Sequence, residues 1–364
     1  MHVGFAPVFQ NFDSKVPDHQ VFARELRLAD LAEPLGFDSI WTTEHHFTDY
    51  QMTPDILQFL SYMAGRTKTL RLGSMAVILP WHNPLRVAEN VCLLDHYSGG
   101  RYILGVGRGL GLHEMEGWGV DMNNTRGIFN ESAEALITAL KNGYMEFSGD
   151  FVKQVRRDLR PAPFRSFAGR TYGAGMSAES MPLFAKLGMG ALVFPFRAWA
   201  DVRVNLDNYR EIWRKFQGNT NPPSPAIIGF CVVDEDPALA EEMAVKHIGE
   251  VFTATDKNYD LGGAHWAKLK GYEHYAKNAE GFKTITDEKI RAFVDLNPYG
   301  TPAQVLEKLR ATVDELGGAG ALIAHFRFGS ISFERAEKGM RLFAEKVLPV
   351  LKTWDMGPFA AVGG

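Results

Sequence analysis

Two cysteines in 364 residues, Cys92 and Cys231, exclude a disulfide framework and leave no CxxC pair for a metal. Both fall in apolar patterns and are expected as small buried hydrophobes. No uncharged apolar run approaches the ~20 residues that a membrane-spanning helix needs. No basic tail or cluster offsets the net charge of −4, so a nucleic-acid partner is not expected. Met1–Ala6 passes directly into a strand pattern without a charged leader and apolar stretch, so no signal peptide is expected and the expected location is cytoplasmic. Phe9–Ser14, which follows the first strand pattern, contains no glycine, which argues against a dinucleotide-binding turn.

What remains is ordinary globular composition, 46% hydrophobic and 23% charged, enough to build a large core. Aromatics are more informative. Of 25 phenylalanines and 7 tryptophans, several fall at predicted strand ends, among them Phe9, Trp41, Phe47, Trp81, Phe194 and Phe196. Core packing explains each singly, and together they suit an apolar pocket around a flat ligand.

Strand and helix patterns alternate along the chain. Strands are predicted over 2–7, 36–41, 70–79, 101–106, 171–174, 190–194, 226–233 and 321–326. Helices are predicted over 18–35, from Thr53-Pro54, from Asn83-Pro84, over 127–142, 178–187, 201–216 and 237–254, from Thr301-Pro302, and over 332–352. Two stretches interrupt the alternation, about 147–169 and about 256–300. Eight strand–helix units predict a (β/α)8 barrel in a single domain over 1–364, with those two insertions after helix four and strand seven. An open doubly wound sheet is the runner-up.

In a barrel the chemistry gathers where strands end. Glu44-His45-His46-Phe47 follows strand two, and a histidine beside a carboxylate there is a candidate proton handler. Neighbouring side chains diverge in extended backbone, so at most one of His45 and His46 faces a given ligand, and a metal site on the pair is disfavoured. Gly105–Gly111 follows strand four, its glycines permitting close backbone approach and Arg108 offering fixed positive charge to an anion. Gly173–Ser180 leads from strand five into a helix, where Ser177 can cap and Ser180 can help hold a phosphate. His82 and His96 read as surface or capping residues, while His113 and Glu114 stand within reach of a pocket.

Glu44–Thr48, Leu72–Pro80, Pro84–Glu89, Leu94–Arg101, Gly107–Leu110, Asn297–Pro302 and Leu342–Leu351 together resemble the bacterial luciferase-like flavin monooxygenases, particularly their catalytic alpha subunits. The resemblance implies a (β/α)8 barrel that binds reduced FMN from a separate NAD(P)H:flavin reductase. It implies reaction with O2 through a flavin C4a-hydroperoxide to oxygenate a small organic substrate, apolar or carbonyl-bearing, by Baeyer–Villiger insertion or hydroxylation. It makes His45 the proton-handling residue, with Glu44 near the flavin ring. Arg108 corresponds to the phosphate-binding arginine, and Met176, Ser177 and Ser180 to phosphate-contacting positions. Met75-Ala76 corresponds to a cis peptide under the ring. A homodimer through the early helices is expected, and 256–300, with Gly262-Gly263 and Trp266, corresponds to a mobile lid. Gly107 stands where luciferase carries a reactive cysteine, so thiol-dependent behaviour is not expected. A deazaflavin F420-dependent oxidoreductase of the same fold is an alternative. A non-catalytic flavin-binding subunit is another, against which the presence of His45 argues.

Overall fold

The computed structural model describes residues 1–175, 179–357 and 359–360. Eight parallel strands close on themselves: β1 (His2–Phe5), β2 (Ser39–Thr42), β3 (Arg71–Ser74), β4 (Tyr102–Gly107), β5 (Thr171–Ala174), β6 (Gly190–Val193), β7 (Ala226–Phe230) and β8 (Ala321–His325). Each pairs with its sequence neighbours, and β8 pairs with β1 in the register His2↔Ala321 through Phe5↔Ala324. The barrel expectation holds, and the open-sheet alternative falls with that closing ladder. All eight strands are nearly free of exposed positions, as parallel strands covered on both faces must be.

The surrounding helices are α1 (Asp18–Ala32), α2 (Ile56–Arg66), α3 (Pro84–Tyr97), α4 (Thr125–Asn142), α5 (Met181–Lys186), α6 (Trp199–Gln217), α7 (Pro237–Tyr259), α8 (Pro302–Leu316) and α9 (Phe333–Lys346). Several starts follow from capping chemistry. Asn83 accepts from the N–H groups of Leu85 and Arg86 ahead of Pro84, and Thr301 with Gln304 forms a reciprocal capping box.

Other boundaries differ from expectation. Helix two is capped by Asp55, which accepts from Gln58 N–H at 2.9 Å, so Thr53-Pro54 precede it instead of opening it. Strand three stops at Ser74, ahead of the cis Met75–Ala76 peptide, and only Val77–Ile78 resumes pairing, now with Val106 and Gly107 of β4. Strand seven ends at Phe230; Val232–Val233 pairs with Tyr299–Gly300 in a separate ladder. Helix α5 begins at Met181, with residue 178, the predicted start, outside the described residues, and α7 runs on to Tyr259, where Asp260 turns left-handed and ends it. The last predicted helix is two: α9 stops at Lys346, and a short helix Leu348–Lys352 carries Pro349 in its first turn, where no N–H is needed.

The stretch after α4 forms an antiparallel hairpin, Tyr144–Ser148 with Lys153–Asp158. Behind it, Arg170 is wholly buried and makes a two-pronged ion pair with Asp95, at 2.6 and 2.9 Å, while its remaining donors reach the carbonyls of Tyr102, Arg165 and Ser166. A charge so buried is tolerated only because every donor is satisfied. At the N-terminal end of the barrel Phe359 packs on Tyr172 and Trp41, and the Arg71 guanidinium holds the carbonyls of Phe359 and Ala360, so the base of the interior is stoppered. The second insertion contributes two further helices, Glu273–Phe282 and Asp287–Asp295, beyond the end of α7. Among the described residues no helix is long and apolar enough to cross a membrane.

Candidate active site

A cavity of about 290 Å³ opens at the C-terminal ends of the strands, lined from β2 by Thr43, Glu44 and His45 and from β4 by Gly107 and Arg108. The two histidines diverge as alternation requires. His45 faces the cavity and Tyr50, while His46 sits edge-on to both Trp81 and Trp118, at 4.9 and 5.0 Å between ring centres.

His45 is held from behind by Glu114, on the short helix Leu112–Gly117 that follows the glycine loop. The carboxylate oxygen Oε1 lies 3.1 Å from His45 Nδ1 and accepts His46 N–H at 2.8 Å. A carboxylate only accepts, so the neutral imidazole carries its proton on Nδ1 and turns a lone pair on Nε2 toward the open side. There Tyr259, the last residue of α7, approaches at 3.4 Å. Burial, with Tyr50, Glu114 and Tyr275 close by, raises the Tyr259 phenol well above its ordinary range, so it stays protonated and able to donate. The second insertion thus reaches His45 through the helix that leads into it.

Glu44 has a different task. Its carboxylate accepts from His82 Nε2 at 2.5 Å, His46 Nε2 at 3.3 Å and Ile78 N–H at 2.9 Å. Burial alone would raise its pKa; the bonds from His46, His82 and Ile78 outweigh that and hold it below the ordinary value of 4.5. Burial would lower the His82 imidazole, and the bond to Glu44 reverses this, raising it above 6.5. His82 does cap the short helix Leu79–Trp81, its N–H donating to the Leu79 carbonyl, and its partly exposed ring is in addition half of an ion pair that fixes the β2 and β3 loops together. The signs set a window. The Glu44 contribution is complete above pH 4.5 and is lost as pH falls through its lowered pKa; the His82 contribution is complete below pH 6.5 and is lost as pH rises through its raised pKa. The stability difference between wild type and Glu44→Gln, from urea melts, is expected to peak between those values and shrink on either side; a flat difference would remove the pair from the account.

The opposite end of the cavity is cationic. Arg108 donates to the Gly271 carbonyl at 2.9 Å and lies over the Tyr272 ring at 4.0 Å. Arg126, in the first turn of α4, donates to Ser180 Oγ at 3.1 Å. Burial, with Arg108 nearby, depresses the Arg126 pKa, as two guanidiniums directed at one place require. Met176 and Ser177 lie outside the described residues; Ser180 is in place as the residue preceding α5. Met75 and Ala76, joined by the cis peptide, form part of the cavity wall. Beside them Gly107 leaves the floor open: a Cβ there would meet Ile78 Cδ1 at 3.0 Å and Ala76 Cβ at 3.4 Å. Two guanidiniums and a hydroxyl beside a cavity of this size are a donor set that a flavin phosphate would fit. Among the described residues no group of three or more His, Cys, Asp or Glu side chains could hold a metal ion.

A parallel barrel whose strand ends bring a carboxylate-backed histidine and two guanidiniums to a single cavity has the architecture of a (β/α)8 enzyme. The sequence matches the luciferase-like monooxygenase family over residues 1–320, and the chain belongs to that family; it is a flavin-dependent monooxygenase. The alkanal monooxygenase alpha chain of Photorhabdus luminescens is 26% identical over 351 residues, covering 92% of this chain and 93% of that one. Among solved structures, monooxygenase RslO1 from Streptomyces bottropensis superposes with a TM-score of 0.78 at 24% identity, over 96% of this chain and all of that one. The oxygenating constituent of 3,6-diketocamphane monooxygenase from Pseudomonas putida, a type II Baeyer–Villiger enzyme in complex with FMN, gives 0.73 at 19% identity, over 96% and 98%. F420-dependent enzymes also share the fold.

Proposed function

We propose that this chain is the oxygenating component of a cytoplasmic two-component system, taking reduced FMN from a separate NAD(P)H:flavin reductase and using O2 to oxygenate a small organic substrate. The observation that carries this reading is the placement of His45 and of the Arg108–Arg126–Ser180 cluster at two ends of one cavity. The alkanal monooxygenase relatives and the FMN-bound structure of the same fold support it.

Bound reduced FMN supplies the electrons that activate O2. Arg108, Arg126 and Ser180 hold the phosphate, fixing the cofactor in depth and orientation. Gly107 and Ala76 leave room for the ring. His45 Nε2 takes or returns a proton at the reacting edge, with Glu114 fixing its tautomer and Tyr259 as a neighbouring donor. Glu44 acts through the loops it ties and not as a base, because three donors already occupy it. The aromatic lining keeps water, and with it stray protons, from the reacting atoms. The second insertion, which carries Gly271 and Tyr272 onto Arg108, closes over the phosphate end as a lid. A homodimer through α2 and α3, whose Tyr62, Leu93 and Tyr97 are exposed, completes the proposed assembly, and light scattering measures it.

Anaerobic titration with reduced FMN and with reduced F420, followed by mixing with O2, tests the reading. Tight binding of reduced FMN and oxygen-dependent reoxidation at a rate distinct from the free cofactor are expected. Preference for F420 without reaction toward oxygen would replace it with hydride transfer.

A further inference from the structure

Across the barrel from the arginines, β6, β7 and β8 present a wall of rings. Ala226 and Ile228 of β7 and Ala321 and Ile323 of β8 belong to the barrel interior, so the next inward positions are Phe230 and His325. Both line the cavity, and their rings stack with centres 5.0 Å apart at 24°. Phe194 and Phe196 extend the wall toward the mouth, stacked at 6.4 Å and 26°.

His325 differs from the rest of this wall in carrying an unused polar atom. Its Nδ1 lies 2.9 Å from the Ala6 carbonyl, which can only accept, so the ring proton sits there and Nε2 is an acceptor. The only hydrogen bond of the ring among the described residues is this one on Nδ1, and the residue, 3% exposed overall, borders the cavity. Burial, only partly opposed by the Ala6 bond, pushes the imidazole down to about 4, so it remains neutral through the physiological range. A guest that covers this acceptor without supplying a donor leaves it without a partner, which is unfavourable. The imidazole is also close to parallel with Phe230. A flat guest that brings an in-plane hydroxyl edge-on to Nε2 lies beside the imidazole, in a cavity that Phe230 and Phe194 also line.

We propose that His325 Nε2 accepts the hydrogen bond of a substrate hydroxyl, and that the substrate is a hydroxylated aromatic ring stacked along the Phe230–Phe194 wall. A simple aliphatic aldehyde or ketone offers neither the donor nor the face. The inference rests on the functional reading above, which places FMN at the ends of β3 to β5 and leaves the β7–β8 side to the substrate.

The test uses the full chain with 2-naphthol and naphthalene as probes, titrated by fluorescence into wild type, His325→Phe and His325→Gln, with FMN titrated in parallel. Wild type is expected to prefer 2-naphthol by roughly 3–10-fold, the worth of one hydrogen bond. His325→Phe should abolish the preference while leaving FMN affinity within a factor of about two. His325→Gln, whose carboxamide can both donate to Ala6 and accept from the guest, should recover part of it and guards against a folding defect in the Phe variant. The preference should be level from pH 8 to pH 5. No preference in wild type, or a preference that survives in His325→Phe, overturns the proposal. So does weakened FMN binding in His325→Phe with naphthol unaffected, since that would assign Nε2 to the cofactor. Failure of wild type to bind FMN, with naphthol discrimination intact, would instead remove the cofactor assignment and leave the hydroxyl acceptor standing.

Discussion

Replacing His45 by Ala is expected to lower oxygenated product per reduced FMN consumed by about 10²–10⁴-fold, the usual worth of a positioned acid–base group. FMN affinity should change by only a few-fold, because the phosphate contacts lie at the other end of the cavity. The reducing equivalents should appear instead as hydrogen peroxide, since O2 would still be reduced but no longer guided to the substrate. The measurement is the ratio of product to peroxide in single-turnover mixing. Glu114→Ala provides the graded comparison: it leaves the imidazole present but strips Nδ1 and His46 N–H of their shared acceptor, so product should fall less than in His45→Ala. If His45→Ala kept the wild-type ratio, the proton would have to move through another group, and Tyr259, 3.4 Å from Nε2, would be the next to replace.

Arg108→Ala and Arg126→Ala are each expected to weaken FMN binding by roughly 10–150-fold, from the 1.5–3 kcal/mol typical of a hydrogen bond to a charged group. The discriminating control is riboflavin, which has the ring and ribityl chain but no phosphate. Its affinity should hold within about two-fold in both variants, and the advantage of FMN over riboflavin should narrow accordingly. Equal losses for FMN and riboflavin would mean that the arginines shape the cavity instead of holding an anion. Arg108 carries the sharper expectation, because its guanidinium also lies over Tyr272 and bonds Gly271; its loss should additionally loosen the second insertion, read as faster amide hydrogen exchange over 264–282.

The barrel was legible because its signal is periodic and local: eight apolar runs of strand length, each followed by a helical pattern with a readable cap such as Asn83-Pro84 or Thr301-Pro302. His45 and Arg108 were legible for the related reason that both stand where a strand runs out. Partnership was not. Glu114 lies 69 residues from His45, and Tyr259 lies 214 residues away at the end of a helix. Glu114 could be placed near a pocket from its position after the glycine loop, but nothing local pairs it with His45, and nothing marks Tyr259 at all. Arg126 stands one residue before the predicted start of helix four, and only the barrel brings it beside the β5 loop. His82 reads as a surface or capping residue from its place beside helix three, and only the closing of the β2 and β3 loops brings its ring to Glu44. His325 ended an apolar strand, and only the inward parity of Ala321 and Ile323 shows which way it faces.

The ladder between β1 and β8 joins residues separated by about 319 positions, His2 with Ala321 and Phe5 with Ala324. Until β8 has left the ribosome, one hydrogen-bonding edge of β1 has no partner. At the usual 5–20 residues per second, that edge stays open for roughly 16–64 s of synthesis. A bare strand edge is a template for pairing with any other chain that offers one. The closed ring that makes the mature barrel free of such edges is therefore the feature that leaves its nascent form dependent on chaperone cover, and yield on overexpression should be limited there before it is limited by the finished fold.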